Sequence, residues 1–95
     1  MAAYLFANVE VTDPVVYEQY RQQVPATIAA YGGRYLVRGG AVEVLEGGGV
    51  PSRVVILEFP DMARLRAFYR GPEYAPLLAL RLRSTRSTVA AIEGV

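Results

Sequence analysis

The sequence predicts one α+β domain, a four-stranded antiparallel sheet with its helices on one face. Three observations predict it. Alternating or β-branched extended segments recur at four places along the chain. Between them lie stretches with apolar residues spaced three and four apart, the mark of a helix with one buried side. The order of these segments is β-α-β-β-α-β, and at 95 residues the chain is long enough for one small core only, so residues 1–95 form a single domain.

The first strand is predicted over residues 3–11, AYLFANVEV. Leu5, Ala7, Val9 and Val11 fall on one face; Tyr4, Phe6, Asn8 and Glu10 fall on the other. Thr12-Asp13-Pro14 then starts a helix, with Asp13 as cap and Pro14 at the first position, where its missing N–H costs nothing. That helix runs to about Tyr31, with Tyr17, Tyr20, Val24, Ile28 and Tyr31 as its apolar stripe. Pro25 inside it predicts a kink or a split near residues 22–24. Residues 34–46 predict one long extended stretch, bulged or bent at Gly39-Gly40, with Gly47-Gly48-Gly49 as the turn. Residues 53–59, RVVILEF, predict a central strand covered on both faces. Pro60-Asp61 opens the second helix, Gly71-Pro72 stops it, and Pro72 suits the first turn of a short further helix carrying Tyr74, Leu77, Leu78 and Arg81 on one stripe. Residues 84–93 predict the last strand.

The composition excludes much chemistry. The sequence has no cysteine, histidine or lysine, and all ten of its basic side chains are arginine. Thiolate nucleophiles, zinc fingers, His-based triads, haem with a His or Cys ligand, Schiff bases and a phosphate-loop lysine are therefore unavailable. No metal and no cofactor are expected. A net charge of +1 makes no electrostatic case for nucleic acid or an anionic membrane. No transmembrane segment or signal peptide is expected, which favours the cytoplasm.

The β-α-β-β-α-β order is the ferredoxin-like sandwich, with helices on one sheet face and the other face open. Tyr4, Phe6 and the apolar excess of the third strand predict that the open face is covered by a second copy, giving a two-fold homodimer with sheet against sheet. Thr12-Asp13-Pro14 with Tyr17 and Tyr20, Gly32-Gly33-Arg34-Tyr35, Arg38-Gly39-Gly40 and Glu46-Gly47 are similar to a small bacterial family known as domain of unknown function 1330. The second half agrees through Glu58-Phe59-Pro60, Phe68-Tyr69, Glu73-Tyr74, Arg81 and Glu93-Gly94. The resemblance implies a dimeric α/β barrel, whose relatives include cofactor-independent monooxygenases, isomerase-like enzymes, haem proteins and ligand-sensing domains. It implies no established activity, and the missing histidine sets this chain apart from the isomerase and haem relatives.

A few polar residues in apolar elements are the candidate site. Asn8 and Glu58 are the catalytic candidates: Asn8 as an amide orienting a carbonyl or phenol, or else satisfied by nearby backbone; Glu58 as a buried base, or else an ion pair with Arg81 or Arg53. Arg38, Tyr69, Tyr74 and Arg81 are the ligand-binding candidates, with Arg38 holding a carboxylate or pairing with Glu58 or Glu43, and Tyr17 and Tyr20 able to join the lining. The expected partner, besides a second copy, is a small organic acid or aromatic molecule. An oxygenase-like or isomerase-like enzyme and a non-catalytic assembly or sensing domain are the alternatives.

Overall fold

The computed structural model describes every residue, Met1–Val95. Four strands, β1 (Ala3–Val11), β2 (Arg34–Arg38), β3 (Val54–Phe59) and β4 (Thr85–Glu93), form one sheet in the order β2-β3-β1-β4, antiparallel throughout. Three helices, α1 (Pro14–Ala30), α2 (Met62–Arg70) and α3 (Ala75–Ser84), cover one face of it. The fold is ferredoxin-like, with the second helical stretch divided by the turn at residues 71–74.

Helix starts follow local chemistry. The carboxylates of Asp13 and Asp61 accept from the backbone N–H groups of Val16 at 3.2 Å and Arg64 at 2.7 Å, satisfying donors that a first helical turn leaves open. Pro76, rather than Pro72, occupies the first turn of α3. Pro25 does not split α1, which runs unbroken as far as Ala30. Val24 and Ile28, buried on either side of the proline, anchor both halves to the sheet, and tertiary packing outweighs one lost hydrogen bond.

The core lies between helices and sheet. Leu5, Ala7 and Val9 of β1 and Leu57 and Phe59 of β3 meet Tyr17, Val24, Ile28, Leu65, Phe68, Tyr74 and Leu77. Gly33 shows how tightly this closes. A Cβ there would come within 2.6 Å of the Phe59 ring and 2.8 Å of Ile28. Gly33→Ala is expected to destabilise the fold by about 1–3 kcal/mol, the usual cost of overpacking, read from a denaturant midpoint.

The stretch after β2 departs from expectation. The strand ends at Arg38, and residues 39–53 form an exposed connection instead of extending to Glu46. β2 runs antiparallel to β3, its one neighbour, and β3 begins at Val54 opposite Arg38 and Gly39, so residues 41–46 pass beyond the end of that strand. The bulge sits between Tyr35 and Val37, while Gly39 adopts φ +69° and turns the chain out of the sheet. β4 begins at Thr85, since Ser84 still belongs to α3 and returns its hydroxyl to Leu80 O at 2.7 Å.

The opposite sheet face has no helices on it. Tyr4, Phe6, Val54, Ile56 and Ile92 stand there in register, and Ile92 is 51% exposed. No helix of the protein is long and apolar enough to cross a membrane.

Candidate functional site

A cleft opens between α1, α3 and the inner face of the sheet. It leaves about 40 Å³ of free volume. Its walls are apolar and aromatic: Leu5, Ala7, Val9, Val24, Ile28, Val55, Leu57, Phe68 and Val89, with Tyr17, Tyr20, Tyr35, Tyr69 and Tyr74. Four arginines reach it, Arg21, Arg38, Arg53 and Arg81, and no aspartate or glutamate does.

Arg81 is the centre of the cleft's polarity. It is only 5% exposed, on the inward stripe of α3. It donates from Nε to the Tyr74 hydroxyl at 3.3 Å and from Nη2 to the Tyr69 hydroxyl at 3.1 Å. The Tyr74 hydroxyl in turn meets that of Tyr20 at 2.9 Å. No carboxylate pairs with Arg81; the ion pairs of this protein are Arg21–Glu18 and Arg34–Glu58. A guanidinium carries five N–H donors, so Arg81 keeps several without a protein acceptor. Arg81 lines the cleft, and its Nη1 makes no hydrogen bond within the protein and is not sealed from solvent. Burial opposes the charge on Arg81, but the Tyr74, Tyr20 and Tyr69 hydroxyls outweigh it, and its pKa lies above the ordinary guanidinium value. Burial pushes the Tyr20 phenol far up, with Tyr74 adding to the shift, and burial likewise raises Tyr35. Cation and neutral phenols are thus the stable forms around the cavity.

The other arginines lie on aromatic rings. The Arg38 guanidinium carbon is 4.5 Å from the Tyr35 centroid, and that of Arg53 is 5.9 Å from the Tyr17 centroid. Arg53 Nε is buried with no acceptor. The Arg53 guanidinium lies so close over Gly39 that any Cβ there would collide with it, so the glycine leaves room for the cation as well as adopting positive φ.

Of the expected site residues, the cleft gathers Arg38, Tyr69, Tyr74 and Arg81, and also Tyr17 and Tyr20. It does not gather Asn8 and Glu58. Both lie on the other sheet face, because strand side chains alternate and their neighbours Ala7, Val9, Leu57 and Phe59 point inward. The Asn8 side-chain oxygen accepts from Ser52 N at 3.0 Å, so the amide is satisfied by nearby backbone and pins the end of the 39–53 connection. Glu58 does find an arginine, but it is Arg34 at 2.7 Å, its cross-strand neighbour, instead of Arg81 or Arg53. Arg34 is 70% exposed, which makes this a surface pair worth under about 1 kcal/mol. Arg38 pairs with neither Glu58 nor Glu43. Tyr35 and Arg53 were missing from the expected lining. Arg53 has the same strand parity as Val55 and Leu57, which was the available signal; Tyr35 is brought in by the β2–β3 register opposite Leu57. The structure gathers no cluster of three metal-ligating side chains.

This fold and cleft define a small ferredoxin-like α+β protein with an aromatic, arginine-lined cleft beneath its helices. The chain belongs to the family described as domain of unknown function (DUF1330), whose pattern it matches over residues 2–95. No curated protein matches it. Among solved structures it is similar to a protein of unknown function from Rhodopseudomonas palustris, with a TM-score of 0.78, 18% identity and coverage of 99% of this chain and 82% of that one. It is similar to a dimeric ferredoxin-like protein of unknown function from Jannaschia sp., with a TM-score of 0.67, 16% identity and coverage of 99% and 100%. A cofactor-independent oxygenase from Streptomyces nogalater also resembles it, with a TM-score of 0.67, 12% identity and coverage of 99% and 93%.

Proposed function

We propose that this protein is a two-fold homodimer, sheet against sheet, in which each protomer binds a small organic anion in the cleft under its helices. The observation that carries the binding reading is Arg81: a cation nine-tenths buried, held by neutral tyrosines, with spare donors and no counter-charge. A buried charge without a partner is costly unless something supplies the opposite charge. A carboxylate does so with matched two-pronged geometry, while the aromatic walls take the apolar body of the ligand. Asn8 and Glu58 have no part in it. The dimer reading is supported by the apolar outer face and by the dimeric state in the description of the Jannaschia structure.

Calorimetric titration with benzoate and phenylacetate tests the binding reading. Saturable binding of one anion per protomer is expected; no heat and no saturation with any aromatic acid would overturn it. The affinity is expected to stay flat between about pH 6 and about pH 9. The lining has no carboxyl or imidazole group, and the raised pKa values of Arg81, Tyr20 and Tyr35 keep these groups in one form across that window. A sigmoidal loss of affinity centred inside that window would show that another group controls binding.

A second reading is catalysis on such a ligand, supported by the fold shared with the Streptomyces oxygenase. The cleft offers no base, so a substrate there would have to ionise readily, with Arg81 and the tyrosine hydroxyls stabilising the resulting oxyanion. Oxygen uptake with polyphenols, lost on Arg81→Met, would favour this reading; none would leave binding alone.

A further inference from the structure

A second groove adjoins the cleft. It lies between α2 and the inner side of β1 and β4, and holds about 270 Å³. Its floor is Leu5, Leu65, Val89 and Ala91, and Arg66 and Arg70 stand at its rim. Three residues belong to both spaces: Leu5, Val89 and Tyr69. The half-buried Tyr69 therefore forms the partition between them, and its hydroxyl is tethered to the Arg81 guanidinium at 3.1 Å.

The two spaces are unequal in a way that constrains the occupant. The cleft, with about 40 Å³ of free volume, holds a carboxylate and a short apolar body, and a longer chain has to leave it. The groove beyond Tyr69 is several times larger and has an apolar floor. It contains no acidic side chain to repel an anion passing over it. It also lies on the helix side of the sheet, so a sheet-to-sheet dimer leaves it open.

We infer that the ligand is an organic acid with an extended apolar tail: its carboxylate sits on Arg81 and its tail passes Tyr69 into the groove between α2 and β4. This rests on the anion-binding reading of the cleft and adds a tail site to it.

The test is a chain-length series. Straight-chain acids from acetate to decanoate, kept below their micellar range, are titrated into the full-length protein. Affinity is expected to rise about fourfold per methylene once the head site is filled, and to level off when the groove is full. Ala91 lines the groove but not the inner cavity, and it is exposed, so Ala91→Trp fills the groove without touching the head site. That variant is expected to flatten the series for long acids and to bind the shortest acids as the wild type does. A flat series in the wild type, or an Ala91→Trp variant with an unchanged slope, would overturn the tail site while leaving the anion site standing. Failure of every acid, short or long, to bind would overturn both.

Discussion

Arg81→Met is expected to weaken carboxylate binding by more than about 100-fold while leaving the free protein at least as stable as the wild type, within about 1 kcal/mol. Two effects compete in the free protein. The buried guanidinium gives up its hydration, which costs several kcal/mol, and recovers hydrogen bonds to two neutral phenols, each worth about 1.5–3 kcal/mol when the donor is charged. Methionine removes both terms and fills similar apolar volume. The Tyr74 hydroxyl keeps its contact with Tyr20, so only Tyr69 loses its partner. Binding has no such cancellation, because a carboxylate on Arg81 gains two charge-assisted bonds that methionine cannot replace. Had Arg81 been the partner of Glu58, the same substitution would strand a buried carboxylate and cost about 3–5 kcal/mol. Denaturant unfolding and calorimetry on one variant separate these cases. A loss of several kcal/mol with undiminished binding would make Arg81 a structural residue.

Phe6→Asp is expected to halve the mass of the protein in solution, from twice 10.4 kDa to 10.4 kDa by light scattering, and to leave the fold of each protomer intact. Phe6 lies at the middle of β1, paired across the strands with Ile56 and Ala90, on the face without helices. Its carboxylate replacement stays in water in a monomer, so the fold loses little. In a sheet-to-sheet dimer it is buried without a partner, which no interface tolerates cheaply. A wild-type mass of 10.4 kDa at every concentration would remove the dimer from the account.

The fold was legible because strand parity and helix stripes are local signals. The bounds of β1, and the stripe of Tyr74, Leu77 and Arg81, follow directly from spacing. The ligand-binding candidates lay on such stripes or beside strands, which is why Arg38, Tyr69, Tyr74 and Arg81 meet in one cleft. What failed was pairing across elements. An apolar strand predicts a buried Glu58 with a distant arginine, whereas the β2–β3 register puts Arg34 opposite it. Asn8 shares the strand parity of Tyr4 and Phe6, which directs it away from the core and the cleft. Alternation in Ala41–Glu46 resembles a strand, but β3 ends its pairing with β2 at Val54 and leaves those residues without a partner.

The central claim is that the guanidinium of Arg81 holds an organic anion inside the cleft. A crystal structure grown with a small aromatic carboxylate measures this directly. The account predicts the carboxylate oxygens within hydrogen-bond distance of the free Arg81 nitrogens and the ring among Tyr17, Tyr20 and Tyr35. A carboxylate found instead on the outer sheet face, or a cleft closed by repacked tyrosines with Arg81 turned to solvent, would contradict it.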